Sequence, residues 1–187
     1  IGSGTFASST YSPFYGSYTD VKYQFLFRAS ELQAMGVPSG TISELAWDVV
    51  TKLTSGSFSN YRIGLGCTNA TELNTNTGWL PTTPVFGPAT VTTTAGWNTF
   101  ALNNTFDWDG TSNLVVEICF DLGNSSISTI SFDNVNYTAT GFFSTMRNYT
   151  NAAGSVGCNL TAAYRYTSRC NIRFGVCPPP PAALQYS

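Results

Sequence analysis

The amino-acid sequence predicts an all-β protein, a β-sandwich of jelly-roll type with one short connector helix. Short apolar stretches of alternating polarity recur along the 187 residues, which is the pattern of half-buried strands. Clusters of Gly, Pro, Asn, Asp and Ser separate these stretches. About ten short strands with turn signals between them are typical of sandwiches and jelly rolls.

The chain begins with a segment that we interpret as an arm. Residues 1–20 are rich in Gly, Ser, Thr and Tyr, which predicts an extended arm or edge strand. Residues 21–27 alternate as a strand does. Residues 29–36 predict the connector helix, with Ser30 as its N-cap and Gly36 at its end.

Further strands follow the helix. Residues 42–50 alternate in polarity, and Pro88 suits an edge strand over residues 85–93 because it breaks the hydrogen-bond ladder. The other predicted strands lie at residues 58–66, 97–102, 114–120, 127–132, 140–146, 162–168 and 171–176.

The end of the chain has a different composition. Four consecutive prolines, Pro178 to Pro181, fix a stiff segment that cannot enter the interior of a sheet. We therefore assign residues 1–20 to an N-terminal arm or edge strand, 21–177 to the β-sandwich domain and 178–187 to a proline-rich tail or linker. The sequence starts at Ile1 without Met, so we expect a mature form whose leader has been removed.

The composition excludes some classes of partner. Charged residues make up 10% of the chain, against about 25% in an average soluble protein. The net charge is −2 and the eight Lys and Arg form no run, so we expect no nucleic-acid partner. No window of about 18 apolar residues exists, so we expect no membrane span.

The five cysteines favour disulfides and an oxidising compartment. The chain has no His and no Cys-x-x-Cys pair, which argues against zinc. We predict a bridge between Cys119, on a core strand, and Cys158, in a late loop. Cys67 with Cys170 is a candidate second bridge, which leaves Cys177 free or paired with another chain. The alternative is that some cysteines are small buried apolar residues.

Residues 107–110, Asp-Trp-Asp-Gly, resemble the first half of a calcium loop. Calcium needs several converging oxygens, but Ile118 stands where such a loop carries its bidentate Glu. The alternative, which we favour, is a hairpin turn with its backbone geometry supplied by Asp109 and Gly110 and its amides bound by Asp107. We expect no cofactor; calcium, at Asp107 and Asp109, is the candidate ion.

The four tryptophans suggest where a sugar could stack. Trp47 and Trp97 lie in alternating strands, and we expect them in the core. Trp79 lies in a polar loop and is expected to be the most exposed, with Trp108 intermediate. Trp79 and Trp108 are therefore the candidate ligand-binding residues, and ordinary packing is the alternative for both.

We expect no enzymatic activity. Without His, a Ser-His-Asp or Cys-His arrangement is impossible. Glu44 and Asp48 share one side of a predicted strand, but four strand residues span about 13 Å. That is too far for a glycosidase carboxylate pair.

One long segment carries a family resemblance. AGWNTFALNNTFDWDGTSNLVVEICFD (residues 95–121), with the opening IGSGT, the connector ASELQAMG and the closing NIRFG, resembles a recurrent extracellular β-sandwich module. That module occurs in surface and secreted proteins of Bacteroidota-type bacteria, which are often type IX secretion substrates. The resemblance implies a location and an architecture but no catalytic residues. Arg169-Cys170 stands where the pattern has Arg-Pro, so the resemblance does not settle the pairing of Cys170.

These observations lead to two hypotheses of function. The first is a non-catalytic extracellular structural or adhesive module at the cell surface, such as an adhesin or the subunit of a self-assembling surface fibre. Its partners would be other copies or neighbouring domains. The second is a carbohydrate-binding module of a larger secreted protein, with a polysaccharide as its partner.

The fibre hypothesis depends on the two ends of the chain. Five aromatic residues in the arm call for a surface to bury against, either this domain's own sheet or that of a neighbour. A head-to-tail contact would propagate into filaments. We therefore predict polymers that shorten when residues 178–187 or the arm are deleted.

Overall fold

Two antiparallel sheets of six strands each pack face to face, which confirms the predicted all-β sandwich. The computed structural model describes residues 1–123, 130–152 and 154–178. Within these residues the elements are β1 (Phe6–Ser8), β2 (Tyr15–Gly16), β3 (Asp20–Phe27), α1 (Ala29–Ala34), β4 (Gly40–Thr51), β5 (Phe58–Thr68), β6 (Thr83–Val91), β7 (Gly96–Trp108), β8 (Asn113–Asp121), β9 (Ser131–Phe132), β10 (Asn134–Ala139), β11 (Thr145–Thr150), a 3-10 turn (Gly157–Asn159), β12 (Tyr164–Tyr166), β13 (Ser168–Cys170) and β14 (Arg173–Cys177).

The first sheet is built around β4. β7 runs antiparallel along one edge of β4, with Trp108 opposite Gly40 and Gly96 opposite Val49. The other edge is shared: β14 lies beside the first half of β4 and β10 beside its end. β1 and β13 pair with β10. Strand β7 is therefore an edge strand of this sheet.

The second sheet has the order β12–β11–β3–β8–β5–β6. β6, which contains Pro88, is at its edge, as predicted. A short β2–β9 ribbon lies apart from both sheets. The jelly-roll connectivity stays a prediction.

The core lies between the sheets and is strongly aromatic. In β3 the alternating residues Tyr23, Phe25 and Phe27 face inward and are fully buried. Trp47 of β4 meets them from the first sheet. Alternation with period 2 places the large apolar residues of each strand on this inner face.

The outer face of the second sheet is also covered. Leu26 and Val115 point away from the core, but they are fully buried because two loops lie over them. These loops contribute Leu73 and Phe142 to a second apolar cluster, and Trp79 packs at its border. All eight residues of β3 are buried, because both faces of this strand are covered.

The N-terminal arm is part of the sandwich. Phe14 is completely buried and its ring lies 5.8–6.1 Å from those of Trp47, Phe58, Tyr61 and Phe100. β1 pairs with β10 and β2 with β9. The sequence analysis offered two surfaces for the arm aromatics, this domain's own sheet or that of a neighbour. Phe14 is buried within this domain.

A buried arginine fastens the arm to the second sheet. The guanidinium of Arg147 lies 4.9–5.9 Å from the ring centres of four tyrosines. It donates hydrogen bonds to the carbonyl of Thr10 and to the hydroxyls of Tyr23 and Tyr166. Although burial opposes the charge, the tyrosines outweigh it and raise the pKa of Arg147. The cation therefore stays charged inside an aromatic enclosure.

A buried carboxylate, that of Asp133, binds the backbone just after the C-terminal end of β4. Asp133 accepts hydrogen bonds from the backbone amides of Leu53 and Thr54 at 2.8 Å and from the Thr93 hydroxyl at 2.5 Å. Lys52 lies 3.6 Å away. Burial alone would raise the pKa of Asp133, but these hydrogen bonds hold it below its ordinary value.

The connector helix is present but begins differently from the prediction. Ser30 lies inside α1, and Arg28 is the N-cap, with the Glu31 carboxylate accepting from the Arg28 backbone amide at 2.9 Å. Within the described residues, no helix is long and apolar enough to cross a membrane. Residues 179–187, most of the predicted tail, lie outside the described residues, as do residues 127–129 of one predicted strand.

Candidate functional site

The predicted bridge between Cys119 and Cys158 is confirmed, with the two sulfurs 2.01 Å apart. Cys119 is on the outer face of β8, because its neighbours Ile118 and Phe120 point into the core. Cys158 is in the 3-10 turn, and Lys22 donates to its carbonyl at 3.1 Å. The bridge therefore ties a covering loop to the outer face of the second sheet.

The second predicted bridge, Cys67 with Cys170, is wrong. Both thiols are free, and they belong to different sheets. Cys170 is buried in the core, where burial raises its pKa to about 12. It is a small core residue, the alternative that the sequence allowed. Cys67 and Cys177 are exposed.

The segment around Asp107 and Asp109 is a hairpin turn, but the carboxylate that accepts hydrogen bonds from the turn amides is not the one predicted. Asp109, not Asp107, binds the turn amides: it accepts from the backbone of Thr111 and Ser112 at 2.7 Å. The hydrogen bond from the Ser112 hydroxyl, together with these two backbone bonds, lowers the pKa of Asp109 to about 2. Gly110 takes the positive φ of 81° that the turn requires.

Asp107 lies apart from this turn and accepts from the Thr41 hydroxyl at 2.6 Å. Nowhere in the described part of the chain do three or more Cys, Asp or Glu side chains group as metal ligands would. The geometry therefore accounts for both carboxylates as hydrogen-bond acceptors within the fold.

Both tryptophans predicted to bind a ligand are held by packing and by a hydrogen bond from the indole N–H. Trp108 is 2% exposed and donates its indole N–H to the Ser112 carbonyl, so it belongs to the core. Trp79 is half-buried against the second apolar cluster and donates to the Leu160 carbonyl. The ammonium of Lys22 lies 5.1 Å from its ring centre. Both residues are explained by packing, the alternative for each.

Trp97, which the sequence analysis placed in the core, is the tryptophan that faces outward. It is 39% exposed, whereas Phe100, on the opposite face of β7, is buried. The alternation of residues 97–102 contains this information, since Trp97 is in phase with Thr99 and Ala101 while Phe100 is in phase with Leu102. The prediction placed Trp97 in the core because of its large apolar ring, although its phase in the strand is opposite to that of Phe100.

The outer face of the first sheet forms a cleft beside Trp97, which we call the Trp97 cleft. Its volume is about 210 Å³, and its side-chain lining includes Asp48, Trp97, Asn136, Asn171 and Arg173. Trp97 lies directly opposite Asp48 on the neighbouring strand. Strands β4, β7, β10 and β14, with Asn171 just before β14, therefore bring an indole, a carboxylate, amides and a guanidinium together.

Register explains how Arg173 reaches Trp97. Arg173 on β14 and Thr99 on β7 are both partners of Ala46 on the strand between them. Because Ala46 is small, the arginine side chain can cross over it. The guanidinium carbon lies 3.5 Å from the indole ring centre, a close cation–π stack.

A second, larger cleft adjoins the first. It has a volume of about 510 Å³, lies between the edge strands β6 and β7, and shares Trp97 as a wall. Phe86 and Phe100 also line it, together with the hydroxyl groups of Thr90, Thr92, Thr94 and Thr99. We call it the threonine cleft. Trp97 thus stands between the two clefts.

Comparisons of the chain with protein-family models, with curated proteins and with solved structures found no match. The resemblance to a surface module of Bacteroidota-type proteins therefore stays a prediction. The candidate site depends on the geometry of this chain alone.

Proposed function

We propose that this chain is a non-catalytic extracellular module that acts by adhesion, with the outer face of its first sheet as the adhesive surface. The observation that carries the proposal is the Trp97 cleft. A large aromatic ring lies outside the core, stacks with an arginine and is surrounded by polar side chains. Exposed aromatic and arginine side chains are the usual anchors of binding surfaces.

Two further features support an extracellular binding role. The Cys119–Cys158 bridge suits an oxidising compartment. The arm, Arg147 and the bridge fasten the loops and edges around the core, which makes a rigid support for the cleft. Rigid elements hold binding groups more accurately than loops do.

The fibre form of the hypothesis has weaker support. The arm is taken up by this domain's own sheets and is not free to reach a neighbour through Phe14. The edge of β7 opposite β4 pairs with no strand of the described chain, so strand addition there is a possible route to assembly.

The proposal is tested on cells that express the native protein. Antibody labelling of intact cells should detect the chain, and protease added outside should remove the signal. Antibody fragments against the chain should reduce attachment of those cells to coated surfaces, with fragments against an unrelated surface protein as control. Detection only after lysis, or attachment that is unchanged by the fragments, would contradict the proposal.

A further inference from the structure

We propose that the ligand at Trp97 is a neutral polysaccharide chain, which is bound across both clefts with Trp97 as its central stacking platform. This inference rests on the adhesive function proposed above and names the class of ligand.

The first step is the state of the Trp97 ring. Arg173 covers the ring at 3.5 Å, yet 39% of the residue remains exposed. The C–H groups on one face of a pyranose ring are apolar and carry a slight positive charge, so they stack on an electron-rich indole. The nearby guanidinium also leaves N–H donors for sugar hydroxyls.

The second step is the set of polar groups beside the ring. In the described parts of the chain, the side chains of Asp48, Asn136 and Arg173 make no hydrogen bond or ion pair with one another or with any other residue. Asn171, by contrast, is held by Gly4 and Thr138. A carboxylate acceptor, a two-sided amide and a guanidinium donor are therefore free to bind adjacent hydroxyls of a sugar.

The third step is charge. The charged side chains of the Trp97 cleft are one carboxylate, Asp48, and one guanidinium, Arg173. Ile1 also lines this cleft, but its ammonium donates to the Ile172 carbonyl, and burial lowers its pKa. The threonine cleft is lined by hydroxyl, amide and apolar groups without a charge. The two clefts together therefore favour a neutral ligand over a uronic acid or a sulfated sugar.

The fourth step is length. Trp97 lines both clefts, so a ligand stacked on it extends into each of them. Both are open clefts on the surface, and a single hexose would fill only part of the threonine cleft, with its volume of about 510 Å³. A chain of several sugars can place one ring on Trp97 and its neighbours against the threonines and against Asp48. The affinity is therefore expected to rise with chain length.

The test is titration calorimetry of the full 187-residue chain with cellohexaose, mannohexaose and a soluble galactan. Glucose, mannose and galactose serve as single sugars, and polygalacturonate as the charged polymer. We expect at least one neutral polymer to bind, its single sugar to bind at least tenfold more weakly, and Trp97→Ala to lower the affinity about tenfold or more. Asp48→Asn should weaken binding several-fold, because a charge-assisted acceptor is lost.

The matched control is Tyr164→Ala, which removes a similarly exposed aromatic residue (46%) from the other sheet and should leave binding unchanged. Near-ultraviolet circular dichroism checks that each variant is folded. The inference is overturned if no neutral polymer binds, if polygalacturonate binds better than the neutral polymers, or if folded Trp97→Ala keeps full affinity. If Trp97→Ala abolishes attachment of the cells in the assay above while no neutral polymer binds, the ligand class is wrong and the adhesive function stands; if Trp97→Ala cells still attach, the adhesive surface itself is wrong.

Discussion

Removal of the Cys119–Cys158 bridge gives the most quantitative test of the scaffold. The bridge joins residues 39 apart in sequence. In the chain-entropy description, closing a loop of that length restricts the unfolded chain by about 4 kcal/mol at 25 °C. The double variant Cys119→Ala, Cys158→Ala should lose this amount, because its unfolded chain is no longer restricted by the closed loop.

The assay is urea unfolding followed by fluorescence. With a slope of about 2 kcal/mol per molar urea, 4 kcal/mol lowers the midpoint by about 2 M. A reducing agent should lower the midpoint of the native chain similarly. Cys67→Ser, at an exposed free thiol, is the control and should stay within about 0.5 kcal/mol of the parent. A shift of less than about 0.5 M in the double variant would refute the reasoning.

Four other predictions follow from the core, the two buried charged side chains and the tail. Phe14→Ala should cost roughly 3–5 kcal/mol in urea unfolding, since the ring is fully buried, whereas Phe6→Ala, at 74% exposure, should change stability little; equal effects would contradict the role of the arm. Asp133 has a lowered pKa in the folded chain, so its stabilisation is complete above its unfolded pKa of about 3.9 and is lost as the pH falls through the folded value. Asp133→Asn should therefore cost about 2 kcal/mol of unfolding free energy at pH 7. It should also make the unfolding midpoint depend less on pH between about pH 2 and 5; an unaltered pH dependence would show that other carboxylates dominate. Arg147→Ala should cost about 2 kcal/mol or more in thermal or urea unfolding because it empties the tyrosine enclosure, and a neutral effect would rule out the enclosure as a fastening. If the chain forms polymers, deletion of residues 178–187 should shorten them in sedimentation velocity, and a monomeric profile unchanged by the deletion would remove the fibre hypothesis.

The fold class was predictable because alternation is a local property of the sequence. Residues 21–25 alternate in polarity, residues 114–120 form an apolar stretch rich in β-branched side chains, and both are strands close to the predicted bounds. The end of a strand is less local: β7 continues to Trp108, six residues beyond the prediction, because β4 pairs with it along its length. Pairing partners that are distant in sequence set strand length, and the sequence pattern does not name them.

The site was harder to predict because it depends on which face of a strand meets the core. Phase separates Trp97 from Phe100, but a tryptophan is so often buried that residue type outweighed phase. The stack of Arg173 on Trp97 could not be predicted from the sequence. The two residues are 76 apart in sequence and come together only because their strands lie on either side of Ala46. The cysteine pairing was half predictable for the same reason: alternation placed Cys119 on a strand but could not show that Cys170 faces the core.

The central claim, that Trp97 is the binding residue of this fold, is tested most directly by its own indole N–H signal. The chain has four tryptophans, so a ¹⁵N-labelled sample gives four indole cross-peaks, which single Trp→Phe variants assign. On titration with a neutral polysaccharide that binds, the Trp97 peak should shift the most, while those of the buried Trp47 and Trp108 stay in place. A saturable titration in which the Trp97 peak does not move, or in which only the Trp79 peak does, would contradict the account.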